Sequence, residues 1–282
     1  MLLSQVANGV GIGIIYFMIA VGMSITFGMM RFLNIAHGGF YLLGAYVGFE
    51  LVQQTGSFWF ALVGAPICIG LVAWLSEPAF SVLYRLSHNM QILATLGLAL
   101  VIQETVVLVW DTVGKHVAAP GGLVGAVAFG DFVYPRYRLF VICVGVVLAA
   151  GLWLLLERTN YGAVLRAGTQ STDDIELLGI DIRRVFAATF GLGAGLAGLA
   201  GVLAAPIRGV EPFMGPEALA IAFVVVVVGG LGSFFGALAG GLLIGIIQST
   251  TSVFWPAASG VAMYVGMAAI MLIRPRGLLG RA

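Results

Sequence analysis

Residues 157–184, from Glu157 to Arg184, read ERTNYGAVLRAGTQSTDDIELLGIDIRR and form the one long stretch that gathers charge of both signs. Apolar runs flank it on both sides. Of the 282 residues 61% are hydrophobic and 9% charged, against roughly one-quarter charged in a soluble domain. Such a chain is an integral membrane protein, and a polar stretch between two lipid-soluble runs is a surface that it shows to water. The expected fold is all-α, a polytopic transmembrane helical bundle with residues 1–282 as a single transmembrane domain and residues 157–184 as a loop within it.

The net charge of +1 is spread thinly, which argues against nucleic acid as a partner and leaves membrane lipid as the surroundings. Cys68 and Cys143 lie inside apolar runs, where they read as packing residues. The first Arg is Arg31, so no cationic region precedes the first apolar run and a cleaved signal peptide is not expected.

Reading outward from residues 157–184, about eight spans and one short broken or re-entrant segment are expected. A crossing needs roughly 20 residues. The spans are Val6–Met30, about Phe40–Leu51, Phe58 towards Leu83 with a kink at Pro66, Ile92–Trp110, Leu139–Leu156, Val185–Ala205, Phe234–Thr250 and Val261–Ile273. Ala218–Val228 is apolar but short. Asn34, His37, Gly38 and Gly39 interrupt hydrophobicity before the second span, and Gly229–Ser233 (GGLGS) breaks the chain before Phe234. Such breaks are tolerated only against protein or a water-filled cavity.

A weak internal repeat aligns HGGFYLLGAYVG with FFGALAGGLLIG at one offset, pairing Gly39, Gly44 and Gly48 with Gly236, Gly241 and Gly245. Each copy follows a broken segment, as at a central substrate path in transporters. Gly191, Gly195, Gly198 and Gly201 in the sixth span make a close-packing face. With residues 157–184 on the cytoplasmic side, alternation puts nine Arg inside (residues 31, 85, 158, 166, 183, 184, 274, 276 and 281). Lys115, Arg136, Arg138 and Arg208 fall outside. This bias sets the N-terminus outside and the C-terminus inside.

Within residues 157–184, Ser171 or Thr172 can cap a short helix whose first turn holds Asp173 and Asp174, favourable at the positive end of the helix dipole. Ile175 and Leu178 are expected on one face, Gly179 as a left-handed stop, and Asp181 as the cap of the next helix. A rigid charged helix pinned between two spans suits a coupling element. A solvated loop with a membrane-surface helix is the competing reading.

Four blocks carry a resemblance. YGAVLRAGTQSTDDIELLGIDIRRV resembles the cytoplasmic loop of permease subunits of bacterial branched-chain amino acid ABC importers. Asn34-Ile35-Ala36-His37-Gly38 with Gly44-Ala45-Tyr46 resembles that family's first interruption. Gly229-Gly230-Leu231-Gly232-Ser233 with Gly236-Ala237 resembles its second, and Arg274-Pro275-Arg276-Gly277-Leu278 its C-terminus. The blocks lie in order over almost the whole chain, which resembles the shorter of two homologous permeases.

The resemblance implies a permease in the bacterial inner membrane. Its partners would be a second homologous permease, a periplasmic substrate-binding protein and two cytoplasmic ATPases. It also implies that Thr172, Asp173, Asp174, Ile175, Glu176, Leu177, Leu178 and Gly179 form the helix that docks on an ATPase. Ile175 departs from the family pattern, where a small residue is common, which puts the detailed fit in question. No GxxxxGK[ST] phosphate loop is present, and the only Lys is Lys115, so no cofactor is expected in this chain, with ATP and Mg on the partner subunits.

Other polar residues have two readings each. Glu104, well inside the fourth span, must be neutral, paired or facing water. It either lines a path or ties helices together. Asn34 and His37 either face the path or satisfy backbone freed by the interruption. Gln91 and Thr95, four apart on one helix face, either line the route or bond between helices. Gly230, Gly232 and Ser233 read as path or gate, and Glu50 and Glu77, near span ends, as interfacial.

A urea or short-amide importer is the nearest alternative, and a stand-alone channel or ion-coupled carrier a more distant one. An intramembrane enzyme using His37 with Ser233 has no activated nucleophile or HExxH metal motif to support it, so no catalytic role is expected.

Overall fold

The computed structural model describes residues 2–30, 32–83, 86–129, 132–168 and 172–280. Within them the chain forms helices α1 (Leu2–Met30), α2 (His37–Thr55), α3 (Phe58–Phe80), α4 (His88–Trp110) and α5 (Arg136–Arg158). Two short helices follow, α6 (Asn160–Gly168) and α7 (Thr172–Leu177). The chain continues with α8 (Ile182–Arg208), α9 (Met214–Gly229), α10 (Phe234–Phe254) and α11 (Ser259–Ile273).

Seven of these helical stretches, α1, α3, α4, α5, α8, α10 and Pro256–Ile273 containing α11, are long and apolar enough to cross a membrane. Helix α2 has 19 residues, enough to cross by length, but is less apolar than these seven. Helix α9 has 16 residues, and at 1.5 Å per residue spans only about 24 Å, which makes it the short segment. The all-α polytopic bundle therefore holds, with seven long apolar spans among the described residues against the eight expected. The expected span boundaries are exceeded at most ends, because polar residues such as His37, Thr55 and Arg208 stay helical past the apolar run.

Helix α8 occupies the centre, packed on α1, α2 and α3. Its glycines set the spacing. A Cβ on Gly193 would come within 2.9 Å of the Gly22 carbonyl oxygen and of Thr26, and one on Gly191 within 2.8 Å of the Gly70 carbonyl oxygen. On its third side Gly201 lies against the Tyr41 carbonyl of α2. Helix α3 answers with the buried stripe Phe58, Ala61, Ala65, Ile69, Ala73, Glu77 and Phe80. Glu77 is thus buried rather than interfacial, because the three- and four-residue spacing that turns Ala73 and Phe80 inward turns it inward too.

The two repeated blocks open α2 and α10 at equivalent positions. Gly44 of α2 packs on Gly198 of α8, and Gly241 of α10 on Gly13 of α1. Helices α4, α5 and α11 stay mostly exposed in the single chain, as they would against lipid or another subunit. The loop between α4 and α5 holds an unexpected antiparallel hairpin, β1 (Ala126–Phe129) with β2 (Phe132–Pro135), in which Val127 pairs with Tyr134. The hydroxyl of Tyr134 donates to the Ala7 carbonyl of α1 at 2.9 Å.

In the polar stretch α5 runs on to Arg158, and α6 is a helix that the sequence reading did not separate. Gly179 takes the left-handed conformation with φ +79°. The Asp181 carboxylate caps α8 by accepting from the backbone N–H of Arg183 and of Arg184, at 3.1 and 3.4 Å. Ser171 lies outside the described residues. Ile175 and Leu178 do not share a face. Ile175 is buried while Leu178 is 78% exposed, because α7 ends at Leu177 and residue 178 already belongs to the turn.

Gly193→Leu is expected to destabilise the bundle by at least about 1–3 kcal/mol through overpacking. Gly97→Ala, with nothing within 4 Å of its added methyl, should stabilise α4 by up to about 1 kcal/mol. Thermal unfolding in detergent and protein level in membranes measure both.

Candidate functional site

A cleft opens where the end of α8, the start of α9, the middle of α1 and the start of α5 converge. It offers about 130 Å³ to the centres of water-sized groups and is open at its mouth. Its wall is apolar, with Ile12, Ile15 and Ile19 from α1, Val141 from α5, Ile207 from α8 and Met214 and Ile221 from α9. Four charged side chains interrupt it: Arg138, Arg208, Glu211 and Glu217.

A hydrogen-bonded chain crosses the cleft. Arg208 donates through Nη1 to Glu217 Oε1 at 2.8 Å and through Nη2 to the Tyr16 hydroxyl at 3.3 Å. The Tyr16 hydroxyl in turn donates to Oε1 of Gln248. Four helices, α9, α8, α1 and α10, are thereby linked through side chains, and Tyr41 of α2 lines the same space. Tyr16 is buried, whereas Arg208 and Glu217 are about half exposed. Outside the cleft, Lys115 and Val210 exchange backbone bonds of 2.8 and 2.9 Å, so the loop after α4 holds the α8–α9 connection in place.

The path candidates read from the sequence lie elsewhere. Asn34 and His37 are buried and build the approach to α2. The Asn34 side-chain oxygen accepts from Ala36 N–H at 2.9 Å, and the His37 Nε2–H donates to the Ile19 carbonyl of α1 at 2.9 Å. The chain, having left α1 at Met30, has by His37 climbed back about three helical turns. Gln91 and Thr95 are buried but bond within their own region of the chain: Gln91 Nε2 donates to the Leu86 carbonyl at 3.2 Å, and the Thr95 hydroxyl to the Gln91 carbonyl at 2.8 Å.

Gly230, Gly232 and Ser233 form the tight turn between α9 and α10. The Ser233 hydroxyl caps α10 by accepting from Gly236 N–H at 3.0 Å. The C-terminal segment lies on this turn, with Leu278 N–H donating to the Val228 carbonyl at 2.8 Å and Leu279 N–H to that of Gly229 at 2.9 Å. Gly28 of α1 closes against Gly232. Glu104 sits on the exposed face of α4 with Leu93, Leu100 and Leu108. Glu50 accepts from Trp110 Nε1 at 3.0 Å and from Gln54 at 2.8 Å.

The cleft residues Tyr16, Tyr41, Arg208, Glu217 and Gln248 were not singled out by sequence reading. Their only signal is a tyrosine and a glutamine inside apolar spans and an Arg and a Glu nine positions apart across a Pro- and Gly-containing connection. Nothing in that pattern brings α1 and α10 to the same place. Among the described residues no cluster of His, Cys, Asp and Glu could hold a metal ion.

Over residues 5–274 the chain matches the family described as the permease component of the branched-chain amino acid transport system. The chain belongs to this family. The permease is 30% identical to the high-affinity branched-chain amino acid transport system permease protein BraD of Pseudomonas aeruginosa, with 99% of this chain and 96% of that protein covered. It is 30% identical to the corresponding LivH protein of Escherichia coli at the same coverage. To LivM of Escherichia coli it is 26% identical, over 94% of this chain and 68% of LivM. Among solved structures, a chain of PsaBC from Streptococcus pneumoniae in complex with Fab superposes with a TM-score of 0.54. That match has 13% sequence identity and covers 94% of this chain and 89% of that chain, and it speaks for the fold alone.

Two substitutions test the local geometry. Asn34→Ala, which leaves the turn before α2 without its side-chain acceptor, should cost about 1–3 kcal/mol. Tyr46→Phe removes a fully buried hydroxyl that has no hydrogen-bond partner among the described residues, so it should leave stability unchanged or raise it by up to about 1 kcal/mol. Thermal unfolding of the purified permease reads both.

Proposed function

We propose that the permease is one of two membrane subunits of an ATP-driven importer for branched-chain or other small amino acids, fed by a substrate-binding protein and driven by two ATPases on the cytoplasmic side. The observation that carries this reading is the match over residues 5–274, with relatives covered almost end to end that are named as transport permeases. The pairing with a second, homologous permease is supported by similarity to both LivH and LivM. Glu104 also fits a subunit partner better than lipid, since a carboxylate near the middle of a membrane helix is costly against hydrocarbon.

The loop geometry supports a role for α7 in coupling. Its Ile175 is buried beside Gly168 of α6, and Met29 of α1 lies on that same glycine. Leu177 is 86% and Leu178 78% exposed, an apolar pair left uncovered by the described residues. Helix α6 is tied onward, because the hydroxyls of Tyr161 and Thr189 of α8 bond at 2.8 Å. A push on α7 would thus reach α1 and α8 through α6. Ile175 acts here as the anchor of α7, and its bulk, unlike a small residue, fills the space over Gly168.

This reading sets α7 and the C-terminus in the cytoplasm and the cleft on the opposite side. A cysteine at Leu178 should then react with a membrane-impermeant maleimide only in inside-out vesicles, and one at Val113 only in right-side-out vesicles. The reverse pattern would invert the topology. Leu177→Asp with Leu178→Asp should reduce co-purification of the ATPases by about tenfold, a loss of roughly 1.4 kcal/mol, with permease level in the membrane unchanged. Undiminished co-purification and uptake would remove α7 from the coupling role.

A further inference from the structure

Resting on the importer reading, we propose that the Arg208–Glu217 pair is the site at which a zwitterionic α-amino acid is held on its way through the cleft. The carboxylate of the amino acid would bind Arg208, its ammonium Glu217, and its branched side chain the isoleucine wall.

Three observations support this. The pair is half exposed towards the cleft, and ion pairs open to water contribute little to stability. It can therefore be parted by an incoming ligand at small cost. The Arg208 guanidinium also keeps capacity in reserve. Its bonds to Glu217 and Tyr16 use two of the five donors that an arginine carries. Tyr16, anchored on Gln248, holds the guanidinium in place when Glu217 turns to an ammonium.

The third observation is the charge balance. The charged lining consists of Arg138 and Arg208 against Glu211 and Glu217, so the cleft is neutral as a whole. A zwitterion replaces one ion pair by two and leaves the net charge unchanged. A lone anion or cation adds net charge inside an apolar bundle, which is costly. An uncharged amide or urea has no ion to exchange for either member of the pair. The Ile12, Ile15 and Ile19 wall then favours an aliphatic side chain over a polar one.

The test uses the complete transporter, purified with its partner subunits, in a background where Cys68 and Cys143 are replaced by Ala and Ile12 by Cys. Labelling of I12C by a soluble maleimide is timed with L-leucine, with leucinamide (ammonium only), with 4-methylpentanoate (carboxylate only) and with butyramide (no charge). At a leucine concentration twice its dissociation constant labelling should slow about threefold, and the three analogues at that concentration should each slow it by less than about 1.3-fold. E217Q and R208Q should abolish the leucine effect.

Equal protection by butyramide or by either singly charged analogue overturns the proposal, as does leucine protection that survives both E217Q and R208Q. The analogue comparison needs no change at the pair, so it decides the matter even where those variants fail to assemble. ATP-driven leucine uptake is measured in parallel in proteoliposomes with the binding protein. Protection without uptake upholds the site and overturns the importer reading, whereas uptake without protection overturns the site.

Discussion

The close approach of α8 to its three neighbours is the constraint on which the rest of the structure depends. In a membrane no hydrophobic gain draws one apolar helix to another, so contact must come from packing and hydrogen bonds. Gly191, Gly193 and Gly201 let the α8 backbone meet the carbonyls of α3, α1 and α2 directly. Only with those three helices fixed to one axis can α1 also receive α10, again through glycines, and only then do residues of α1, α8, α9 and α10 share a cleft.

The same helix joins the two ends of the molecule. It starts at a cap, Asp181, directly after the polar stretch that carries α6 and α7, and it ends at Arg208 in the cleft. A helix of 27 residues thus places the α7 surface and the Arg208–Glu217 pair at its opposite ends, with backbone contacts to its neighbours between them. The Tyr161–Thr189 bond and the contact of Ile175 with Gly168 attach the polar stretch to this rod.

The two interruptions are resolved in different ways. Before α2 the extended chain climbs back beside α1, with Asn34 accepting from the Ala36 N–H of the turn and His37 tying that turn to the Ile19 carbonyl of α1. Before α10 the break is a compact turn whose carbonyls are covered by the C-terminal segment. Both are the accommodation that irregular backbone requires at membrane depth. Their polar residues serve the fold first.

Much of the architecture was legible in order along the chain. Apolar run length set the spans, Gly179 and Asp181 marked the stop and the cap, and the glycine spacing of residues 191–201 marked a close-packing face, because each is a local property of backbone conformation or of helix periodicity. Glu77 shows where this ends: the same periodicity that makes α3 a packing helix buried it, and position near a span end did not reveal that. Arg208, Glu217, Tyr16 and Gln248 stand far apart in sequence and each has an ordinary local environment. Only the tertiary structure decided that they meet, since which helices become neighbours depends on the matching of glycine surfaces across the bundle, a property of pairs of helices that no single stretch contains.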